Sequence, residues 1–405
     1  MTMSGCRGPA SPVEFVNDPA TTTSAQTPRA VFFSGHSLLD APLQAHFASV
    51  AASLGDEVEW NRQNIGGSSI WRRMRGENRD SGQWQGLREG DNREGQGLDV
   101  AAELRAPATI SGRTYDALVI TEWHRALDAI LWNDTTRYLR GYHELLVQRN
   151  AAAVTYFYEP WLDIADKNDP RDWIEYERAL SPIWQCVTTR INVSLQHEGR
   201  ADRVLSLPAG AALAALIERL MASDHPFPPR ESLEQRINRV IYDGVHVTPL
   251  GSYYMALVTY ASLYRRPPAS SWHPPEVSSE QAAFLQRVAW DFISKYYDSY
   301  APLSLDQCRE RLSGAVLGIY WRYQRKAVWQ REVGALHSYV RMARYYVRSK
   351  LALRRRDHNN PFFFDPGSDS SYWFHLAPED AGEGVAAGHS RTAAFVAPAS
   401  VRDLN

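Results

Sequence analysis

The feature that most constrains this chain is the alternation, between residues 30 and 264, of short apolar runs with longer stretches of helical periodicity. The runs Ala30-Val31-Phe32-Phe33, Val58-Glu59-Trp60-Asn61, 115–121, 152–158 and 203–207 are too short for buried helices and read as strands. Apolar-periodic stretches at about 42–54, 134–149, 170–184 and 248–263, with another ending near residue 222, read as the intervening helices, and Asn133 or Asp134 is the expected cap of the second. Strand–helix alternation implies right-handed crossovers, hence an α/β domain on a parallel, doubly wound sheet.

The pattern changes at both ends and once in the middle. Residues 1–29 are rich in Ser, Thr, Pro and Ala and read as a flexible N-terminal segment. Residues 76–97 are almost devoid of apolar side chains and read as a long polar loop. After the domain spanning 30–266, a proline-bounded linker at 267–278 leads to a helical region at 279–356, with breaks expected at 297–303 and 332–336. Residues 357–405 read as a mostly irregular tail.

Composition narrows the function classes. Of the 405 residues 44 % are apolar, and the formal net charge is −2, so no global field points toward nucleic acid. No run approaches the roughly 18 apolar residues of a membrane span, and the N-terminus lacks the apolar core of a secretory signal. The three cysteines, Cys6, Cys186 and Cys308, are far apart and form no C-x-x-C pair. They read as reduced structural thiols in a cytoplasmic protein, without a disulfide framework or zinc site. No metal and no cofactor is expected.

Three places carry candidate chemistry. Ser37, in Gly35-His36-Ser37-Leu38, lies at the carboxyl end of the first strand, where open parallel sheets bind ligands. It fits a nucleophile or a helix cap equally well. Asp243 and His246, in Asp243-Gly244-Val245-His246, are spaced so that a carboxylate can fix the tautomer of an imidazole that takes a proton from a serine. Gly66, in Asn64-Ile65-Gly66-Gly67-Ser68, would let a backbone amide approach an oxyanion without a side chain in the way.

Taken in this order, each at an expected strand end, the three resemble the blocks of the SGNH/GDSL hydrolase family. The first block is matched by residues 33–38, with His36 where the family often has Asp. The second is matched by 61–69. The last, Asp243-Gly244-Val245-His246-Val247-Thr248-Pro249-Leu250-Gly251, is a close fit. The resemblance covers residues 30–264 and implies a flavodoxin-like three-layer α/β/α sandwich with a parallel sheet, to which the C-terminal helices are an extension. It also implies hydrolysis of an ester, often an acetyl ester on a carbohydrate. Ser37 would be the nucleophile, His246 the base and then the acid, and Asp243 the orienting carboxylate. The amides of Ser37 and Gly66 would form the oxyanion hole.

The family's third block does not match. Where it places an asparagine, this chain reads Thr121-Glu122-Trp123-His124, which leaves His124 or Asn133 as candidate third donor. Glu122 and Trp123, with Glu159 and Trp161 after the fourth strand, are candidate contacts to sugar hydroxyls and rings. The missing asparagine also admits a weakened, non-catalytic binding or scaffold protein on the same fold, and an esterase or thioesterase for a longer acyl chain is a third reading. The C-terminal helices are the expected surface for a protein partner, and the Arg/aromatic stretch 329–356 reads as a basic amphipathic helix for an anionic surface or a partner, or as a solvated face over a bundle.

Overall fold

A computed structural model describes residues 28–76, 85–105, 112–222 and 224–374. Most of the N-terminal segment and residues 375–405 of the tail lie outside the described residues. Seven strands form one sheet: β1 (Ala30–Gly35), β2 (Glu59–Asn64), β3 (Gly90–Asn92), β4 (Gly97–Leu98), β5 (Ala117–Thr121), β6 (Val154–Tyr158) and β7 (Val204–Leu207), in the order β4-β3-β2-β1-β5-β6-β7. β1, β2, β5, β6 and β7 are mutually parallel. β3 and β4 add antiparallel to the edge at β2. The sheet is therefore mixed rather than parallel, and residues 90–92 and 97 of the expected polar loop are strand. Their periodicity gave no sign of it because these short strands are at most half-buried.

Every residue of β1 and β5 is buried, which is why both read as unbroken apolar runs. β2 breaks that rule with the sequence EWNRQN. Its buried residues are Asn61 and Gln63, and each spends its amide on buried partners: Asn61 donates to Glu103 and Tyr115, Gln63 to the carbonyls of Arg73 and Gly86. A buried amide is tolerated when its hydrogen bonds are made, so this strand carries polar residues into the interior.

Helices Leu43–Ser53, Ala209–Met221, Pro249–Tyr264 and Ser279–Asp298 pack in one group. Helices Ile70–Arg75, Thr135–Val147, Arg171–His197 and Leu317–Gln324 pack in another. Arg171–His197 continues without a break past Pro182, well beyond the end expected at 184. Asp134 occupies the N-cap of Thr135–Val147 in a left-handed conformation, φ 53°. Asn133 instead closes the preceding helix, Ala126–Trp132, donating its amide N–H to the carbonyl of Ala129.

The chain beyond 266 shares the apolar core of the sheet domain. After Ser279–Asp298, helical structure resumes at Leu305, kinks at Gly314 (φ −89°, ψ −127°) and runs on through a π-turn at Arg325–Trp329 to Val333; Gly334, φ 76°, then turns the chain into a last long helix, Ala335–Arg354. Cys186 and Cys308 are joined by a disulfide, 122 residues apart in sequence and both fully buried. This corrects the expectation of reduced thiols: a count of cysteines cannot show that the helices Arg171–His197 and Leu305–Arg311 pack side by side. The start of the tail is anchored as well. Buried Arg190 pairs with Asp369, donates to the carbonyl of Phe363, and lies over the rings of Phe364, Tyr372 and Trp373.

Candidate active site

Ser37 opens a 3-10 turn, Ser37–Leu39, directly after β1. Gly35 is required there by close approach: a Cβ on it would sit 2.6 Å from Cβ of Leu39. His36 is buried and spans the turn, its Nε2 at 2.9 Å from the carbonyl of Glu122 and its Nδ1 accepting from the amide of Leu38 at 3.4 Å. Burial, with the charge of Arg73 nearby, pulls its pKa down to about 3, so the ring is neutral and ties the Ser37 turn to the end of β5. Ser37 itself is half-buried and reachable.

Asp243 and His246 sit on a loop closed by its own backbone. The amide of Tyr242 bonds the carbonyl of His246, the amide of Thr248 bonds that of Val240, and Ile241 and Val247 form a β-bridge. Thr248 then caps the helix Pro249–Tyr264 by accepting from the amide of Gly251, with Pro249 in the first turn. A Cβ on Gly251 would lie 2.2 Å from the carbonyl of Val240. The sequence Thr248-Pro249-Leu250-Gly251 is thus the joint between loop and helix.

Within that loop Oδ1 of Asp243 accepts from the amides of Val245 and His246, both at 2.7 Å. Oδ2 accepts from Nδ1 of His246 at 2.7 Å. Against the upward push of partial burial, these bonds hold the Asp243 carboxyl below the usual carboxylate range. With Nδ1 turned to Asp243, Nε2 faces Ser37 and lies 3.0 Å from its Oγ. The side chains of Asp243 and His246 keep 43 % and 33 % of their exposure, so the constellation opens to solvent.

The Gly66 loop is pinned at both ends. The amide of Ile65 bonds the carbonyl of Gly35, tying the loop to β1. Beyond it, fully buried Arg73 donates to the carbonyl and hydroxyl of Ser68, to the hydroxyl of Ser34 and to the carbonyl of Thr121. Gly67 needs glycine for its φ of 62°, whereas a Cβ on Gly66 would meet nothing within 4 Å. Space in front of Gly66 is open.

The carboxylate of Glu122 is the other anchor of this loop. It accepts from the amides of Ile70 (3.0 Å) and Trp123 (2.6 Å) and from the hydroxyl of Thr135 (2.7 Å), and it is fully buried. Burial raises its pKa, while these bonds and the charge of Arg73 counter the rise. Glu122 is therefore not available to sugar hydroxyls, which corrects its expected role. Glu159 is corrected on the same ground: buried, it accepts from the hydroxyl of Ser206, and burial lifts its pKa to about 8. Trp161 is also buried, but its indole N–H donates 2.8 Å to the carbonyl of Val245, inside the Asp243–His246 turn. It supports the turn and cannot stack on a ligand.

Trp123 and His124 remain half-exposed, their rings 5.7 Å apart, with the guanidinium of Arg125 over Trp123. Burial first, then the charges of Arg125 and His246, depresses the pKa of His124 to about 4 and keeps it neutral beside His246. Asn133, the other candidate third donor, is held in the cap of Ala126–Trp132.

Several residues here escaped the sequence reading. Tyr242, 61 % exposed, stacks on His246 with ring centres 5.8 Å apart. Its neighbour in sequence to the motif was the one available signal. Asp163 packs against Gly244, whose Cβ would meet its Oδ1 at 2.9 Å, and the amide of Ile164 bonds the carbonyl of Gly244. Tyr323, from the helix Leu317–Gln324, donates to the carbonyl of Asp163 and accepts from the amide of Ala165. The C-terminal helices thus brace the loop that cradles the turn. Among the described residues no cluster of three or more His, Cys, Asp or Glu side chains is arranged to hold a metal ion.

The sequence matches no protein-family profile and no curated protein. Among solved structures, a DUF4886 family protein from Bacteroides uniformis compares with this chain at a TM-score of 0.43 and 14 % identity, over 68 % of this chain and 98 % of its own.

Proposed function

We propose that this chain is a serine hydrolase of SGNH/GDSL type that cleaves a small ester, an O-acetyl group on a carbohydrate being the substrate class its site suits best. The observation that carries this reading is the continuous line from Oδ2 of Asp243 through the ring of His246 to Oγ of Ser37, at 2.7 and 3.0 Å. The order of the five parallel strands, β2-β1-β5-β6-β7, is that of a flavodoxin-like sheet, and supports the corresponding sandwich.

In this mechanism His246 takes the hydroxyl proton as Ser37 attacks the acyl carbon. The imidazolium that results is stabilised by Asp243 and then protonates the leaving alcohol. Water, deprotonated by the same ring, releases the acid and restores Ser37. The amides of Ser37 and Gly66 face the oxyanion, and the neutral ring of His124 supplies the third donor in place of the family's asparagine. Each such donor is worth about 3 kcal/mol in the transition state. Tyr242 and Trp123, the aromatic rings left accessible around the triad, offer flat apolar faces to a sugar.

The buried Cys186–Cys308 bridge is of a kind that persists in oxidising compartments, which weighs against the cytoplasmic expectation. No helix among the described residues is long and apolar enough to cross a membrane.

The test is turnover of 4-nitrophenyl acetate together with labelling by a fluorophosphonate. Ser37→Ala is expected to abolish labelling and to lower kcat by roughly four to six orders of magnitude. Absence of both activities in the unaltered protein would sink the enzyme reading and favour a scaffold on the same fold.

A further inference from the structure

The last long helix, Ala335–Arg354, has two faces of opposite character. Ser338, Ser349 and Leu353 are buried, and Tyr345 packs against Trp132, Trp321 and Trp329, so this side docks on the protein. Leu336, Val340, Val347 and Leu351, spaced four, seven and four residues apart, fall on the opposite side. With Tyr339 they are 52–75 % exposed, and these five are most of the large apolar side chains left exposed among the described residues. Single exposed apolar residues need no explanation; a stripe along one helix does.

The same segment is strongly cationic. Residues 335–356 contain Arg341, Arg344, Arg348, Lys350, Arg354, Arg355 and Arg356, and no Asp or Glu. Arg344, Arg354, Arg355 and Arg356 are exposed. On a helical wheel Lys350 falls on one side of the apolar stripe and Arg344 on the other, with Arg354 continuing it at the C-terminal end. The chain's overall charge of −2 makes this a local feature rather than a general one.

We propose that this face lies on an anionic lipid bilayer, with the stripe from Leu336 to Leu351 in the acyl boundary and the arginines on headgroup phosphates. The pattern of apolar stripe and cationic flanks, without the length and apolarity of a span, is that of a helix lying in the interface plane. Charge selects this occupant over a second copy of the chain. Arg341 is spent on Glu332 and Arg348 lies over Trp132. Two such faces brought together would still oppose the exposed Arg344, Arg354, Arg355 and Arg356 of one copy to those of the other, with no carboxylate in residues 335–356 to offset them. A nucleic acid would satisfy the cations but leave the stripe unburied. The inference does not rest on the esterase reading.

Co-sedimentation of the full-length protein with vesicles tests it. Binding is expected to vesicles of phosphatidylcholine and phosphatidylglycerol in equal parts, to fall as salt is raised, and to be weak on phosphatidylcholine alone. Val340→Glu combined with Val347→Glu is expected to lower binding about tenfold or more, and Arg344→Glu with Arg354→Glu to do the same. All four positions are exposed, so the thermal melts of both variants should match the unaltered protein. Equal binding to neutral and anionic vesicles, or undiminished binding by both variants, would overturn the proposal. So would a dimer that Val347→Glu dissociates in a protein that ignores vesicles, or retention on duplex DNA without binding to lipid.

Discussion

The Asp243–His246 turn and the Gly66 loop serve one candidate site but are held by different means. In the turn, Asp243 binds groups two and three residues away, and the result stands open to solvent. The Gly66 loop is held by Arg73 and Glu122, both buried, through bonds that reach as far as 52 positions along the chain. A site can thus have one wall whose Asp–His geometry is set by local bonds, with only its frame braced from afar by Trp161 and Ile164, and another whose side-chain anchors are all buried at the sheet edge. Damage to the first should cost chemistry, and damage to the second should cost the fold.

The largest expected effect lies in the turn. Asp243→Asn is expected to lower kcat about ten-thousandfold by disturbing the tautomer of His246, while the melting temperature changes little. A large loss of stability in that variant would break the contrast. Next comes Arg73→Met, which leaves buried acceptors at Ser68 and Thr121 and removes the charge that faces Glu122. It is expected to destabilise the protein by roughly 3–5 kcal/mol in urea unfolding, and Glu122→Gln in the same chain should return part of the loss.

His36 sharpens the contrast through pH. Its folded pKa of about 3 lies below the ordinary 6.5, so the unfolded chain takes up the proton first. Stability is therefore expected to be full above about pH 6.5 and to decline as pH falls toward 3, by a few kcal/mol as an order of magnitude. His36→Gln should flatten that limb, as read from urea midpoints across the range. The smallest effect expected is from Trp161→Phe, which keeps an aromatic ring but removes the donor to the carbonyl of Val245. About 0.5–1.5 kcal/mol is at stake, read as a fall in kcat of up to about tenfold with KM steady.

The same contrast explains what could be read from sequence. Three of the five parallel strands, β1, β5 and β6, were legible because they are buried, rich in apolar and aromatic residues and bounded by turns. The Asp243–His246 spacing was legible because its bonds are local. Glu122 was not: a carboxylate at a strand end looks available to ligand until Ile70, Trp123 and Thr135 are seen to claim it. Trp161 and Glu159 misled for the same reason, since their burial is set by elements far along the chain. β3 and β4 were hidden because a polar edge strand shows no alternation. Arg73 gave no signal at all, being one of three arginines in the run Trp71-Arg72-Arg73-Met74-Arg75.

The Cys186–Cys308 bridge changes what a cut in the chain would do. A protease that nicks residues 267–278 would leave two fragments that share one core and stay covalently joined, separating only when the protein is both unfolded and reduced. The helix Ala335–Arg354 is downstream of that bridge. Any pull exerted on it is therefore conveyed through a covalent bond into the helix Arg171–His197, and from there into the strands it covers. The proline-rich segment would stay slack while the crosslink takes the strain.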